Sequence, residues 1–239
     1  MLQKVLICTS VFLSLLMTIG VAFKFQQERL NPIKMPFVQN DTMSHLTSGS
    51  LPIEQRGVAY RKWLSAGVMV SVSGAVGSGT IVYHNSDDGY SYVQSCGHLW
   101  NGNMTAEQAK RSKITCKVIT WYQNDLKLEK PKSYPAEVLF YNNGDGRDCS
   151  LLKFKPDWTP NYFPIAPIEF VFRENMRLHS VGCDSAKEIA HYDVKYIGMA
   201  GTPWPDIVTT ENSPRQGRSG GGLMDDNFFV GICVKTSSY

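Results

Sequence analysis

From about Gly57 onward the chain alternates short apolar runs with turn-forming residues. The stretches "VMVSVSGAV", "GTIVYHN", "SYVQSC", "ITCKVITWY", "AEVLFY" and "SLLKFKP" are rich in β-branched and aromatic residues and are bounded by Gly, Asn, Asp and Pro, which predicts strands. A second series follows in "RLHSVGCD", "IAHYDVKYIGMA", "DIVTTE" and "FFVGICVKTS". Helix is predicted only at "MTAEQAKRS", where Thr105 and Gln108 have the spacing of a capping box. The proline-rich "KPDWTPNYFPIAP" separates the two series. Many short strands with almost no helix predict an all-β fold of two small units, residues 57–155 and 168–239, joined by the connection 156–167.

The first residues follow a different pattern. Residues 1–23 hold an uncharged stretch from Val5 to Phe23, flanked by Lys4 and Lys24, with the length of a membrane-spanning helix and the charged start of an export signal. Small residues at Gly20 and Ala22 suit cleavage after Ala22, and retention as an anchor is the alternative. Both readings place the remainder outside the cytoplasm, periplasmic, secreted or held at a membrane. Residues 24–56 are polar and aperiodic, as a linker would be.

Charge excludes more than it suggests. A net charge of +3 without a Lys/Arg run offers no surface for nucleic acid. Among the six cysteines there is no CxxC pair and no His/Cys cluster with metal spacing, so neither metal nor cofactor is expected.

Chemistry enters with "SPRQGRSGGG" at 213–222. Glycines crowd where the backbone turns sharply or is closely approached, which fits a plain loop and also fits a serine displayed as a nucleophile at Ser219. A nucleophilic serine needs a base, usually a histidine oriented by a carboxylate. Of the five histidines, His98 in "SCGHLW" directly follows a strand and has small residues before it. His84 lies at a turn, His45 in the linker, and His179 and His191 within strand patterns, where structural roles are the usual explanation. Gly217–Gly221 also satisfies the G-x-S-x-G elbow of lipases and esterases, but that fold needs a histidine after the serine and none follows Ser219. The order His, Asp, Ser remains. Between His98 and Ser219, "GDGRDCSLLKF" offers Asp145 between two glycines and Asp148 at the head of an apolar strand; Asp148 is the better candidate.

These segments together resemble the trypsin-like (chymotrypsin-fold) serine proteases, most closely the bacterial high-temperature-requirement and other short secreted bacterial or phage members. "GSGTIV" resembles an early strand of the first barrel, "SCGHLW" the histidine segment, "DCSLLKF" the aspartate segment, and "GRSGGGLM" with "NFFVGICVKT" the serine loop and the strand after it. The resemblance covers about residues 66–236 in the family's order. It implies two Greek-key β-barrels with the active site in the cleft between them, and a serine endopeptidase acting on peptide or unfolded protein. Ser219 would be the nucleophile, His98 the general base and Asp148 its orienting partner. The amides of Gly217 and Ser219 would form the oxyanion hole. Ser213 would lie at the base of the substrate pocket, with Val234, Lys235 and Thr236 on its wall. With no carboxylate there, a small or medium apolar side chain is expected before the cut.

Several residues depart from the family's pattern. Arg218 stands where animal digestive members carry an aspartate that pairs with a new N-terminus, and no activation site precedes the domain, so activity without activation cleavage is expected. Cys96 precedes the histidine instead of following it, and Gly222 replaces a proline. The chain continues only briefly beyond "GICVKT", so the reading expects the second barrel to lack its last strand. With Arg218, that favours the alternative of a catalytically weak or inactive binding protein on the same fold.

Overall fold

The structure, a computed structural model, describes residues 58–72, 75–100, 104–124, 126–144, 147–185, 187–199, 208–210 and 217–234. The apolar N-terminal segment and the linker lie outside the described residues, as do Asp145, Ser213, Lys235 and Thr236. No helix among the described residues is long and apolar enough to cross a membrane.

The first strand series forms one closed antiparallel barrel. Its strands are β1 (Gly67–Val72), β2 (Ala75–His84), β3 (Ser91–Ser95), β4 (Thr115–Gln123), β5 (Leu126–Gly144) and β6 (Arg147–Phe154), arranged around the barrel as β1-β2-β3-β6-β5-β4. Alternation places Val68 and Val70 of β1, Val93 of β3 and Val118 of β4 inside, with Ile81, Val138, Leu152 and Phe154, all buried. Closure removes the free edges that an open sheet of this length would expose. The second series, β7 (Arg177–Cys183), β8 (Ile189–Met199), β9 (Val208–Thr210), β10 (Gly222–Met224) and β11 (Phe229–Ile232), forms a five-stranded sheet in the order β11-β10-β7-β8-β9. The proline-rich stretch between the series has neither helix nor strand, only a bend at Asp157–Trp158 and an isolated bridge of Ile165 to Phe229.

Two helices accompany the strands among the described residues. The anticipated one, α2 (Ala106–Ser112), starts at Thr105 with both arms of the capping box formed and ends at Lys113 in the left-handed conformation. The other, α1 (Val58–Ala66), occupies a region read as the start of the strands. Its Trp63, Leu64 and Ala66 are buried between barrel and sheet, in a cluster with Val82 and Tyr122 of the barrel and Val181, Cys183, Ile189, Met224 and Phe229 of the sheet. Barrel and sheet thus share a core, which places the ends of β2 and β3 against the loop that enters β10.

Candidate active site

His98 lies in the turn that follows β3, and strand register brings a carboxylate to it. β3 and β6 pair with Ser95 opposite Ser150, so Asp148 lies beside the turn at the head of β6. Its Oδ1 accepts hydrogen bonds from the amides of Gly97 at 2.7 Å and His98 at 2.8 Å, and its Oδ2 is 2.6 Å from His98 Nδ1. Ser150 Oγ donates to Cys96 O, which ties β6 to the residue before the turn. Glycine is required at position 97: a Cβ there would be 1.8 Å from Asn142 O.

The electrostatics follow from these contacts. The hydrogen bond to Asp148, with a smaller contribution from Cys96, outweighs burial and raises the His98 pKa to about 10. For Asp148 burial pushes the carboxyl up, but hydrogen bonds from the His98 ring and from the His98 and Gly97 amides outweigh it and hold the pKa below the ordinary aspartate value. The other ring nitrogen, His98 Nε2, lies 3.6 Å from Cys96 Sγ.

Ser219 occupies the tip of a tight turn. Gly221 N donates to Arg218 O at 2.8 Å, and Gly220 between them has φ +83°, the conformation a type II turn needs at its third position. Three further bonds hold the loop: Ser78 N to Ser219 O at 2.6 Å, Gly220 N to Cys233 O at 2.6 Å, and Ser78 Oγ to Gly217 O at 2.9 Å. A Cβ on Gly220 would be 2.2 Å from Ser78 O and 2.8 Å from Cys96 N, so the serine loop packs directly on the chain leading into His98. The carbonyls of residues 217, 218 and 219 are all hydrogen-bonded, whereas the amides of Gly217, Arg218 and Ser219 have no acceptor among the described residues. Buried or half-buried amides rarely lack acceptors, so consecutive unpaired N–H groups mark a place where an anion can bind.

His98, Asp148 and the loop carrying Gly217 and Ser219 are therefore neighbours, but among the described residues no hydrogen bond joins Ser219 Oγ to His98 Nε2. Val234 follows β11 and is half-buried. Two residues with a direct hold on the site escaped the sequence reading. Ser78, inside the quoted "GSGTIV", bridges the loop to β7 by accepting from Cys183 N at 2.7 Å. Asp184, at the end of the quoted "RLHSVGCD", accepts from Arg218 Nε at 2.9 Å. The signal for Asp184 was Arg218 itself, since an arginine among glycines and strands requires a carboxylate if buried.

Among the described residues one cluster elsewhere has metal-ligand chemistry: His179 on β7 with His191 and Asp193 on β8, whose ligand atoms lie within 4.8 Å of one another. The imidazole centroids are 5.2 Å apart and the facing nitrogens 3.0 Å apart. A ring nitrogen lies roughly 1.1 Å from its centroid, so both nitrogens fall on the line between the rings and their lone-pair directions meet head-on, the geometry of N–H···N hydrogen bonding. A tetrahedral metal would need both rings aimed at a common point off that line. Trp63 stacks on both rings, at 3.6 Å and 5.0 Å between centroids, and the two imidazoles are tilted 30° to each other. Hydrogen bonding fits these residues better than a metal does.

No protein-family model matches the chain, and no curated protein matches it. Solved structures do. Deg5 aligns over 74% of this chain and 83% of its own, with a TM-score of 0.54 and 15% identity. A serine endoprotease from Yersinia pestis aligns over 76% of this chain with a TM-score of 0.52 and 19% identity, and the chain spans 57% of that protein. The fold is therefore the trypsin-like serine-protease fold of the high-temperature-requirement type, as the motifs had indicated.

Proposed function

We propose that this chain, on its trypsin-like fold, is a serine endopeptidase of two β-barrels, the described five-stranded sheet belonging to the second. The observation that carries the reading is the His98–Asp148 pair beside a serine loop that packs on the chain at Cys96 and whose Gly217 and Ser219 amides have no acceptor among the described residues. In this reaction His98 Nε2 swings from Cys96 towards Ser219 and takes the hydroxyl proton as Oγ attacks the substrate carbonyl carbon. Asp148 holds Nδ1–H and stabilises the imidazolium. The two amides receive the oxyanion; as the C–N bond breaks, the imidazolium protonates the departing amine. Water, deprotonated by His98, then releases the acid from the acyl-enzyme. The substrate is an exposed or unfolded peptide segment outside the cytoplasm, with a small or medium apolar residue before the cut, read by a pocket containing Ser213, Val234, Lys235 and Thr236. A library cleaved strictly after Lys or Arg would refute that preference.

The contact between His98 Nε2 and Cys96 favours one competing reading, a non-catalytic binding protein on the same fold. A fluorescent aryl phosphonate separates the two. The wild-type chain is expected to form a covalent adduct and to degrade casein, and Ser219→Ala to do neither. A folded wild-type protein that stays unlabelled sinks the peptidase and leaves the binding protein.

A further inference from the structure

Arg218 is one of the largest fully buried side chains, at 1% exposure, and it directly precedes Ser219. Burying a guanidinium costs free energy unless every part of it is engaged. Its Nε donates to Asp184 Oδ1 at 2.9 Å, and Nη2 lies 2.9 Å from the same oxygen as an ion pair without a hydrogen bond of its own among the described residues. Nη1 donates to Ser180 O at 2.9 Å and to Ser180 Oγ at 3.2 Å, and its plane lies over the Tyr192 ring with Cζ 4.3 Å from the centroid. Tyr192 donates its hydroxyl to the other oxygen of Asp184, so carboxylate, phenol and guanidinium form one closed unit across β7 and β8. The stem is fixed as well, because Gly182 leaves the space that Arg218 Cγ fills; a Cβ there would be 2.9 Å from it. A well-packed apolar residue would serve stability equally, so this arrangement calls for a reason beyond stability.

The geometry points to Arg218 as a positioning residue that orients the Ser219 amide for the oxyanion, an inference that rests on the peptidase reading above. The peptide unit is planar and trans, so the N–H of Ser219 points opposite to the C=O of Arg218. That carbonyl is held by Gly221 N, and the Cα beside it is held by the buried side chain. On the far side of Ser219, Ser78 N holds its carbonyl. With both flanking groups fixed, the amide between them has one direction available before any substrate arrives. The anchor is internal: Asp184, Ser180 and Tyr192 all come from the β7–β8 hairpin and its ends, so the loop is ordered without a charge delivered from elsewhere.

The test measures phosphonate labelling of the full chain, resolving limiting rate, half-saturating concentration and final stoichiometry, beside thermal unfolding. Arg218→Met and Asp184→Asn are each expected to lower the limiting rate by about 10²–10³, the effect of losing one oxyanion donor. Half-saturation should stay within about threefold, since ground-state binding does not use the amide. Stoichiometry should still approach one label per folded molecule, and the double variant should be little slower than either single one, because both act through one unit. The pH midpoint of labelling should not move, since His98 is untouched. A purely structural arginine gives the opposite pattern, reduced stoichiometry with a wild-type rate for each folded molecule, and that overturns the proposal. If Arg218→Met does not fold, Tyr192→Phe decides, because it releases only one oxygen of Asp184. A slower limiting rate at an unchanged melting temperature supports the anchor, and a wild-type rate overturns it. Failure of the wild-type chain to label Ser219 is a separate result that removes the peptidase reading itself.

Discussion

At the scale of single residues, the consequence that matters most is the state of His98. A general base must be neutral to accept a proton, and the Asp148 contact raises the His98 pKa to about 10. Phosphonate labelling and peptide hydrolysis are therefore expected to increase with pH through the alkaline range, with a midpoint well above the ordinary histidine value of about 6.5. Asp148→Asn should bring the midpoint back towards that value and cut the rate by about 10⁴, because the ring then lacks its orienting carboxylate. A wild-type midpoint at or below the ordinary value would show that the pair does not hold the proton in solution. The same shifts bear on stability. His98, raised, stabilises the fold below its unfolded value and loses that contribution as pH rises through about 10; Asp148, lowered, contributes above its unfolded value and loses it in acid. The pair thus stabilises the molecule across the neutral range and at neither extreme.

Elements show where local pattern suffices and where it fails. β3 and β4 are legible because one face alternates into a core; in β4 Cys116, Val118, Thr120 and Tyr122 are buried in turn, whereas β7 is buried at every position from Leu178 to Cys183. The single strand expected at "VMVSVSGAV" is instead the end of β1 and the start of β2, since the two pair across residues 73–74. β5 extends far beyond the expected "AEVLFY": its first half carries Pro131, Pro135 and many lysines, and it is a strand only because β4 supplies a partner, with Lys117 opposite Pro135 and Thr120 opposite Lys132. No local rule foresees that. Ser219, His98 and Asp148 stand out in the sequence as candidates through glycines and strand ends, and the contact of His98 with Asp148 is present, whereas the holds of Ser78 on Gly217 and of Asp184 on Arg218 arise from register between distant segments. α1 escaped notice for the same reason. It is short and is held by the burial of Trp63 against His179 and His191, whose side chains it covers. Trp63→Ala is accordingly expected to cost about 3–5 kcal/mol of stability by chemical denaturation while leaving the labelling rate of folded molecules unchanged. A loss below about 1 kcal/mol would mean that α1 is an ornament on the sheet and not part of its core.

Across the whole molecule, barrel and sheet are too closely joined to unfold separately. Their shared cluster draws Trp63 and Leu64 from α1, Val82 and Tyr122 from the barrel, and Val181, Ile189, Met224 and Phe229 from the sheet. Gly67 at the start of β1 fits against Val181 and Ile189 so closely that a Cβ would be 2.8 Å from the former. Ser78 of β2 binds the serine loop through both its amide and its hydroxyl while accepting from Cys183 of β7. Two independent units would need an interface that opens without exposing either core, and here the interface is itself a core. Urea unfolding is therefore expected to follow one transition, with the same midpoint by tryptophan fluorescence, far-ultraviolet circular dichroism and loss of phosphonate labelling. Labelling that disappears at a lower urea concentration than the β signal would show the sheet and its serine loop melting off an intact barrel. Coincident curves would instead mean that the serine-loop amides last as long as the core beneath them, which is the condition for the candidate site assembled from β2, β3, β6 and the loop before β10 to act as one unit.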